Sequence, residues 1–236
     1  MATNDEIRLI GENVDLRRLL AQAGIDAAEQ KTAERLQRLL LEELHHRVKN
    51  MLATTMAIAS ESLRSAESLE HGRLAIEERL LALGRVHDLL LRTNWTSTSL
   101  AAILKTAVDP FDTSGDGRFF IQNTDIEVAS EAVLPLAMVL NELCTNATKY
   151  GALSKTDGRV EISATVDEPR KRFRLRWAES GGPTVHLPTR RSFGAQLIEH
   201  SLVSQLQAEV QLTFDPSGVV CLLDIPLASL RPPQSN

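Results

Sequence analysis

Two separated clusters carry the side chains best suited to chemistry in this 236-residue sequence. The first, His46-Arg47-Val48-Lys49-Asn50, places an imidazole among cations. Neutral imidazole is a nucleophile, and the charges of Arg47 and Lys49 can attract an incoming phosphoryl group. Taken alone, the pattern is more typical of a solvated helix face. The second cluster favours the alternative, a phosphoacceptor histidine.

The second cluster lies on a predicted helix and combines an acid, an amide and a cation. Glu142, Asn146 and Lys149 step by four and three residues, so all three share one helix face. Asn146 can ligate Mg²⁺ through its carbonyl oxygen, Lys149 can bind phosphate, and Glu142 can take a proton or hold a water. The spacing predicts a magnesium–nucleotide site with Glu142 as a catalytic group.

Two glycine-containing turns add to this site. Glu179 ends a predicted strand just before Gly181 and Gly182, so the backbone can approach a flat ligand while the carboxylate accepts from an exocyclic amine. Further on, Gly194 precedes a predicted helix whose N-terminus can face phosphate. Each turn alone is typical of an ordinary loop.

The helical spacing of the apolar residues around His46 predicts which way its side chain points. Leu44, Val48, Met51 and Thr55 form a predicted buried seam, and His46 lies roughly 200° from it, facing solvent. His45 lies nearer the seam. A second helix with an apolar face is predicted after the turn-forming residues at 65–68 and 71–72. Two such helices joined by a short turn predict an antiparallel hairpin. Either a second copy or another domain would have to cover its remaining apolar surface.

The segments before and after the predicted hairpin have different sequence patterns. A short helix at 15–23 is expected to stop at Gly24, with Asp26 capping the next helix. Residues 93–99 read as a linker. Helices and strands then mix without strict alternation, which predicts an α+β layer sandwich. The predicted helices are 100–108, 131–150 and 195–206, and the predicted strands are 119–128, 159–166, 172–177, 210–214 and 219–225.

Bulk composition narrows the function classes. A net charge of −5 argues against nucleic acid as the main partner. No apolar run approaches the length of a membrane span, so we expect a cytoplasmic protein without one. Cys144 and Cys221 are too few for a disulfide framework or a zinc site and lie among apolar neighbours, which predicts buried thiols.

These motifs together resemble the HWE subfamily of bacterial sensor histidine kinases, whose ATP-binding domain belongs to the GHKL (Bergerat-fold) superfamily. The similarity covers residues 26–225. Four boxes carry it in the right order: the phosphoacceptor box 46–50, the N box 142–154, the tryptophan–glutamate signature 177–179 and the last glycine box 193–199. Two positions depart from the pattern, because Asn141 stands where the subfamily has histidine and Ser192 where it has glycine.

The resemblance implies a fold of class α + α/β, with an antiparallel helical hairpin (half of a four-helix bundle) followed by an α/β-sandwich GHKL ATPase domain. The expected divisions are an N-terminal helical segment at 1–25, the dimerisation and phosphotransfer hairpin at 26–95, the catalytic domain at 96–230 and a tail at 231–236. The family binds ATP and Mg²⁺. Its members act with a response-regulator receiver domain. The free hairpin favours a homodimer, although residues 1–23 could instead fold back and cover the seam, and the chain is expected to be either a truncated core or a kinase controlled by a separate sensor protein.

The resemblance also implies residue roles. His46 is phosphorylated from ATP and passes the phosphoryl group to an aspartate of the receiver. Asn146 ligates Mg²⁺, Lys149 meets phosphate, Glu179 reads adenine and Glu142 is the N-box acid. Gly181, Gly182 and Gly194 line the nucleotide. Related kinases use an amide at the offset of Asn50 for phosphatase activity, although Arg47 here replaces their acid.

Two other functions remain open from the sequence. The first is a phosphotransfer or scaffold protein of the same fold with a degenerate nucleotide site. The second is a GHKL serine kinase, which would have no use for a histidine-bearing hairpin. Intact Glu142, Asn146, Lys149 and Glu179 favour the histidine kinase.

Overall fold

A computed structural model of the chain describes residues 4–93, 95–112, 117–186, 203 and 205–232. The chain divides into two compact units, Met1–Ala57 and Ile58–Asn236. Helix α1 (Asn4–Ser65) runs through the first unit and ends in the second. Among these described residues, no helix is long and apolar enough to cross a membrane.

Helix α1 continues through Gly24, so the expected stop there is wrong. One glycine costs a helix only about 1 kcal/mol relative to alanine, which the helix-forming residues around it offset. The predicted seam is also not buried within its unit: Leu44 is 55% exposed, and Val48 and Met51 are each 39% exposed. The described residues of that unit, 4–57, form one helix segment, so they supply no second element to cover the stripe.

The predicted helical hairpin is confirmed where α1 ends and α2 (Leu69–Arg92) begins. The Ser68 hydroxyl caps α2 by accepting from the His71 backbone N–H at 3.1 Å. Gly72, predicted as part of the break, lies inside α2. A Cβ there would lie 3.1 Å from a methyl of Leu63 and 3.2 Å from Ala66, so this glycine permits close packing of the two helices.

The segment predicted as one strand at 119–128 is two strands in different sheets. Strand β2 (Phe119–Gln122) joins the main sheet, whereas β3 (Glu127–Ala129) pairs with β1 (Ser97–Ser99). Asn123 separates β2 from β3 with a left-handed φ of 58°. Residues 97–99 of the predicted linker are therefore ordered as a strand.

The main sheet has five strands in the order β2-β4-β5-β7-β6. Strand β2 is parallel to β4, and the remaining pairs are antiparallel. The four later strands agree with the predicted ones, and each is longer by between one and three residues: β4 (Arg159–Asp167), β5 (Arg172–Ser180), β6 (Glu209–Asp215) and β7 (Gly218–Pro226). The predicted helix at 195–206 lies outside the described residues except for 203, 205 and 206, which are helical.

One face of this sheet is covered by helices, as predicted for a layer sandwich. Alternate residues of β5, including Phe173, Leu175 and Trp177, are fully buried against α3 (Leu100–Val108) and α4 (Ser130–Lys149). Val86 and Leu90 of α2 belong to the same core. A short helix, α5 (Leu227–Leu230), closes the fold. Both cysteines are buried free thiols, as predicted.

A buried ion pair joins α2 to α4. Arg79 Nε donates to Glu142 Oε1 at 2.7 Å, and its Nη2 donates to Oε2 at 3.1 Å. Arg79 Nη1 donates to the hydroxyl of Ser62, at the end of α1, at 2.8 Å. Arg79 and Glu142 are 9% and 2% exposed. Each charge depends on the other, because an unpaired charge at this depth costs several kcal/mol.

Arg79→Met is expected to lower the free energy of unfolding by about 3–5 kcal/mol, because Glu142 would keep a buried charge without its counter-ion. The double variant Arg79→Met, Glu142→Leu should recover most of the loss, since apolar side chains of similar volume can replace a buried pair. Urea denaturation measures both changes. A single variant as stable as the wild type would contradict the assigned pairing.

Candidate active site

The C-terminal end of α4 presents the amide and the cation predicted to meet a nucleotide. Asn146 is partly exposed, and Lys149 one turn later has a side chain 38% exposed. Lys149 Nζ pairs with Glu78 of α2 at 2.7 Å. The backbone carbonyl oxygen of Asn146 accepts from the backbone N–H groups of Tyr150 and Gly151, and the helix ends there. The end of α4 therefore combines polar groups with exposure to solvent.

Glu179 lies at the end of β5, where its carboxylate is held from two sides. Oε2 accepts from the backbone N–H of Ala152 at 2.8 Å, and Oε1 accepts from the indole Nε1–H of Trp177 at 3.2 Å. The residue is 7% exposed. Burial raises the pKa of Glu179, and the two hydrogen bonds act in the opposite direction. The strand end and the N box therefore meet at this carboxylate.

Two glycines make that meeting possible. A Cβ at Gly151 would lie within 2.9 Å of Ala147 Cα and would overlap the Glu179 carboxylate. A Cβ at Gly182 would lie 2.6 Å from Ala152 Cα and 2.9 Å from Ala152 N. Both positions therefore require glycine for close backbone approach.

The remaining predicted glycines have different outcomes. Gly181 has a left-handed φ of 72° and approaches the carbonyl of Asp157, which explains its residue type by backbone conformation. Gly194, with Ser192 and the rest of the last glycine box, lies outside the described residues.

Helix α2 supplies partners to the N box that were not predicted from the sequence. Three pairs cross between the helices: Glu78 with Lys149, Arg79 with Glu142, and Arg85 Nη2 with Asn141 Oδ1 at 3.2 Å. A pattern could have indicated one of them. Arg79 lies in phase with the buried positions 82, 83, 86 and 90 of α2, and a charged residue in an apolar stripe requires a buried partner.

Glu142 does not share the exposure of its two helix-face neighbours. Both of its oxygens accept from Arg79, so neither faces an open nucleotide site in this arrangement. The predicted catalytic role of Glu142 stays a prediction, and it would require Arg79 to release one oxygen.

The cluster 46–50, which is predicted to carry the phosphoacceptor, lies on the part of α1 within the first unit. His46 is exposed, as expected, but His45 is exposed too, so accessibility alone does not distinguish them. Arg47 is partly buried, whereas Lys49 and Asn50 are exposed. The cluster is available to a partner on the helix surface.

The donor set suits a magnesium ion held jointly with phosphates. Within the described parts of the chain, no group of three or more histidine, cysteine, aspartate or glutamate residues could hold a metal by itself. Mg²⁺ commonly takes one or two protein oxygens and completes its shell with water and substrate phosphates. The partly exposed amide of Asn146 fits that mode.

Comparison with known proteins agrees with this geometry. Residues 43–125, from the phosphoacceptor cluster through α2 to the loop before β3, match the HWE histidine kinase family. A blue-light-activated histidine kinase of Brucella anthropi is 39% identical over 198 residues. Residues 43–125 of this chain therefore belong to the HWE histidine kinase family.

The HWE relatives are longer proteins. The Brucella anthropi kinase is matched over 83% of this chain and 40% of its own length. A Brucella ovis kinase of the same name is 37% identical over 209 residues, covering 88% of this chain and 42% of its own. The chain thus spans about two fifths of the curated relatives it matches.

Solved HWE-type structures support the fold. The Erythrobacter litoralis EL346 blue-light activated histidine kinase superposes with a TM-score of 0.57 at 22% identity, covering 80% of this chain and 59% of that one. Its separate histidine kinase domain gives 0.52 at 16% identity, covering 75% and 96%. The helical hairpin followed by a mixed-sheet α/β domain is therefore a fold that this chain shares with these two structures.

Gly182→Ala is expected to weaken ADP binding by about tenfold, because the new methyl group would displace Ala152, whose N–H holds Glu179. Calorimetric titration with ADP measures the change. Gly84→Ala is the matched control: a Cβ at Gly84 meets nothing within 4 Å, so this exposed helix site should gain about 0.5–1 kcal/mol of stability. Unchanged ADP affinity in Gly182→Ala would contradict the described approach.

Proposed function

We propose that this chain is an ATP-dependent protein-histidine kinase of a two-component system. It phosphorylates His46 and passes the phosphoryl group to an aspartate of a response-regulator receiver domain. The contact between Glu179 and Ala152 N at 2.8 Å carries the proposal, because it makes one site from the N box and the tryptophan–glutamate strand. The exposure of His46 and the family membership support it.

The proposed reaction begins at the imidazole of His46. A ring nitrogen attacks the γ-phosphorus of ATP, a P–N bond forms, and the bond to the bridging oxygen breaks so that ADP leaves. The proton of the other ring nitrogen then passes to a base. Glu142 is our candidate for that base once Arg79 has released one of its oxygens.

The nucleotide is proposed to lie across the end of α4 and the end of β5. Glu179 would accept from the exocyclic amine of adenine, and Gly181 and Gly182 would let the backbone approach it. Lys149 would pair with phosphate. Asn146 would hold Mg²⁺, which supplies positive charge beside the transferring phosphoryl group.

We propose three protein partners, two of which would bind the surface of α1. A receiver domain would dock at the His46 cluster, where Arg47 and Asn50 are the candidate residues for orienting a water during dephosphorylation. A second copy of the chain would cover the exposed stripe of Leu44, Val48 and Met51. A separate sensor protein is a third proposed partner. All of these proposals rest on the kinase activity.

His46→Ala is expected to abolish autophosphorylation, because the variant has no nucleophile at that position. His45→Ala should retain measurable labelling and serves as the matched control. Incubation with γ-labelled ATP and Mg²⁺ measures both, and the label should be acid-labile and alkali-stable, as phosphohistidine is. Full labelling of His46→Ala would refute the assignment.

The same experiment separates the alternative function. A phosphotransfer or scaffold protein would take no label from ATP, yet would accept a phosphoryl group from a phosphorylated receiver domain. A serine kinase would produce acid-stable label on another protein. Each outcome differs from the one expected here.

Glu78→Gln is expected to strengthen ATP binding about two- to fivefold. Lys149 must exchange its partner Glu78 for phosphate, and an exposed pair of this kind contributes only about 0–1 kcal/mol. The effect should shrink at high salt, since both groups are partly exposed. Calorimetric titration in low and high salt measures it.

Glu77→Gln provides the control for net charge. Glu77 is exposed on the same helix and pairs with Arg73 rather than with the N box. The two variants change the charge of the protein equally, so only a contact-specific effect distinguishes them. Equal ATP affinities for Glu77→Gln and Glu78→Gln would contradict competition between Glu78 and phosphate for Lys149.

A further inference from the structure

The carboxylate of Glu179 is held by donors that belong to rigid parts of the fold. The Ala152 donor is a backbone N–H at the start of a single 3₁₀ turn, Ala152–Ser154, directly after α4. The Trp177 donor is an indole on the same strand as Glu179. Each oxygen thus receives one bond from a fixed direction.

Strand geometry explains why the indole can reach the carboxylate. Residues two apart on a strand point to the same face, so Trp177 and Glu179 both project toward the helices. Trp177 is completely buried, and its ring meets Phe119 edge-to-face with centroids 6.4 Å apart. The strand pairs on both sides, with Trp177 opposite Ile162 and Cys221. The indole N–H therefore has little freedom to point elsewhere.

We propose that Trp177 is a positioning residue for nucleotide recognition, which aims the Glu179 carboxylate at the exocyclic amine of adenine through its indole N–H. The inference rests on the proposed adenine-reading role of Glu179. Trp177 does not touch the base in this scheme. Its contribution is to fix which lone pairs of Glu179 remain open to a ligand.

The chemistry of the open lone pairs sets the specificity. An ionised carboxylate offers only acceptors, so a base must present an N–H donor at this point. Adenine presents its exocyclic amine, whereas guanine presents a carbonyl oxygen at the equivalent ring position, which the carboxylate would repel. A carboxylate free to rotate could instead turn toward the N–H groups of guanine. Fixing its orientation should therefore favour adenine.

Gly151 completes the arrangement from the N-box side. A methyl group there would overlap Glu179 Oε2, so only glycine lets the Ala152 N–H bond form. Gly151→Ala therefore displaces the same carboxylate by a route that leaves the indole intact.

The charge state of Glu179 gives a readout that simple loosening would not produce. Burial raises its pKa, and the hydrogen bond from Trp177 is one of two contacts that lower it. Adenine recognition requires the ionised form, so ADP affinity should fall as the pH drops through this pKa. Without the indole N–H the pKa rises further, and affinity should be lost beginning at a higher pH than in the wild type.

The test is Trp177→Phe, which keeps a buried aromatic ring and removes the donor. Calorimetric titration with ADP should show about tenfold weaker binding at neutral pH, with the acid loss of affinity displaced to higher pH. The ratio of ADP affinity to GDP affinity should also be lower than in the wild type. Replacing Trp177 with its benzothiophene analogue preserves the two-ring shape and should give the same result if Trp177→Phe folds poorly.

Phe173→Leu is the matched control, because Phe173 is equally buried on the same face of β5 and donates no hydrogen bond. It should lower stability while leaving the pH profile and the ADP preference unchanged. An unchanged pH profile and preference in both Trp177 variants would overturn the inference. A profile displaced equally in Phe173→Leu would overturn it too.

Glu179→Gln separates this failure from a failure of the proposed function. Weak ADP binding by Glu179→Gln together with wild-type behaviour of the Trp177 variants would leave Glu179 as the adenine reader and remove only the role of Trp177. Wild-type ADP binding by Glu179→Gln would refute the adenine role, and the inference about Trp177 would be refuted with it.

Discussion

The buried pair between Arg79 and Glu142 is the interaction on which the arrangement of the second unit depends. Desolvating two charges costs several kcal/mol each, and the cost is offset only while the bidentate geometry persists. Arg79 also bonds Ser62, so three helices meet at one guanidinium. A displacement of α2 or of the end of α1 would therefore disturb the hydrogen bonds of Glu142, which lies one turn before Asn146 on α4.

The second helix of the hairpin, α2, also packs in the same hydrophobic core as the sheet. Val86 and Leu90 of α2 are buried with the strands, and the compact units divide at Ala57 and Ile58. The predicted functional division at residues 95 and 96 stays a prediction, but the second hairpin helix shares its hydrophobic core with the sheet. We infer that α2 is both part of the phosphotransfer hairpin and a wall of the catalytic domain.

The sequence predicted most elements because each has a strong local pattern. Alternation identified β4 and β5, and helical spacing identified α3 and α4. The errors arose where local patterns compete with longer-range forces. Gly24 was expected to stop the helix, but neighbours such as Ala23, Ala27 and Ala28 favour helix and offset its cost. Residues 119–128 look like one strand in the sequence, because asparagine permits but does not dictate the left-handed conformation that separates β2 from β3 at Asn123. The place of Arg79 in the apolar stripe of α2 indicates that it needs a buried partner, but the sequence does not specify that the partner lies on α4.

The candidate site could also be predicted only in part: the sequence indicates which side chains could bind a ligand, but not which residues orient those side chains. Residue types such as Asn146 and Glu179 predict chemistry because amides and carboxylates have specific ligands. The residues that orient them supply only a hydrogen-bond direction or the absence of a methyl group, as Trp177 and Gly151 do. Their spacing has a physical cause: two residues is the strand repeat that brings an indole and a carboxylate to one face. In the proposed scheme, Trp177 and Glu179 act as one unit, in which the carboxylate would bind adenine and the indole N–H would hold the carboxylate in place.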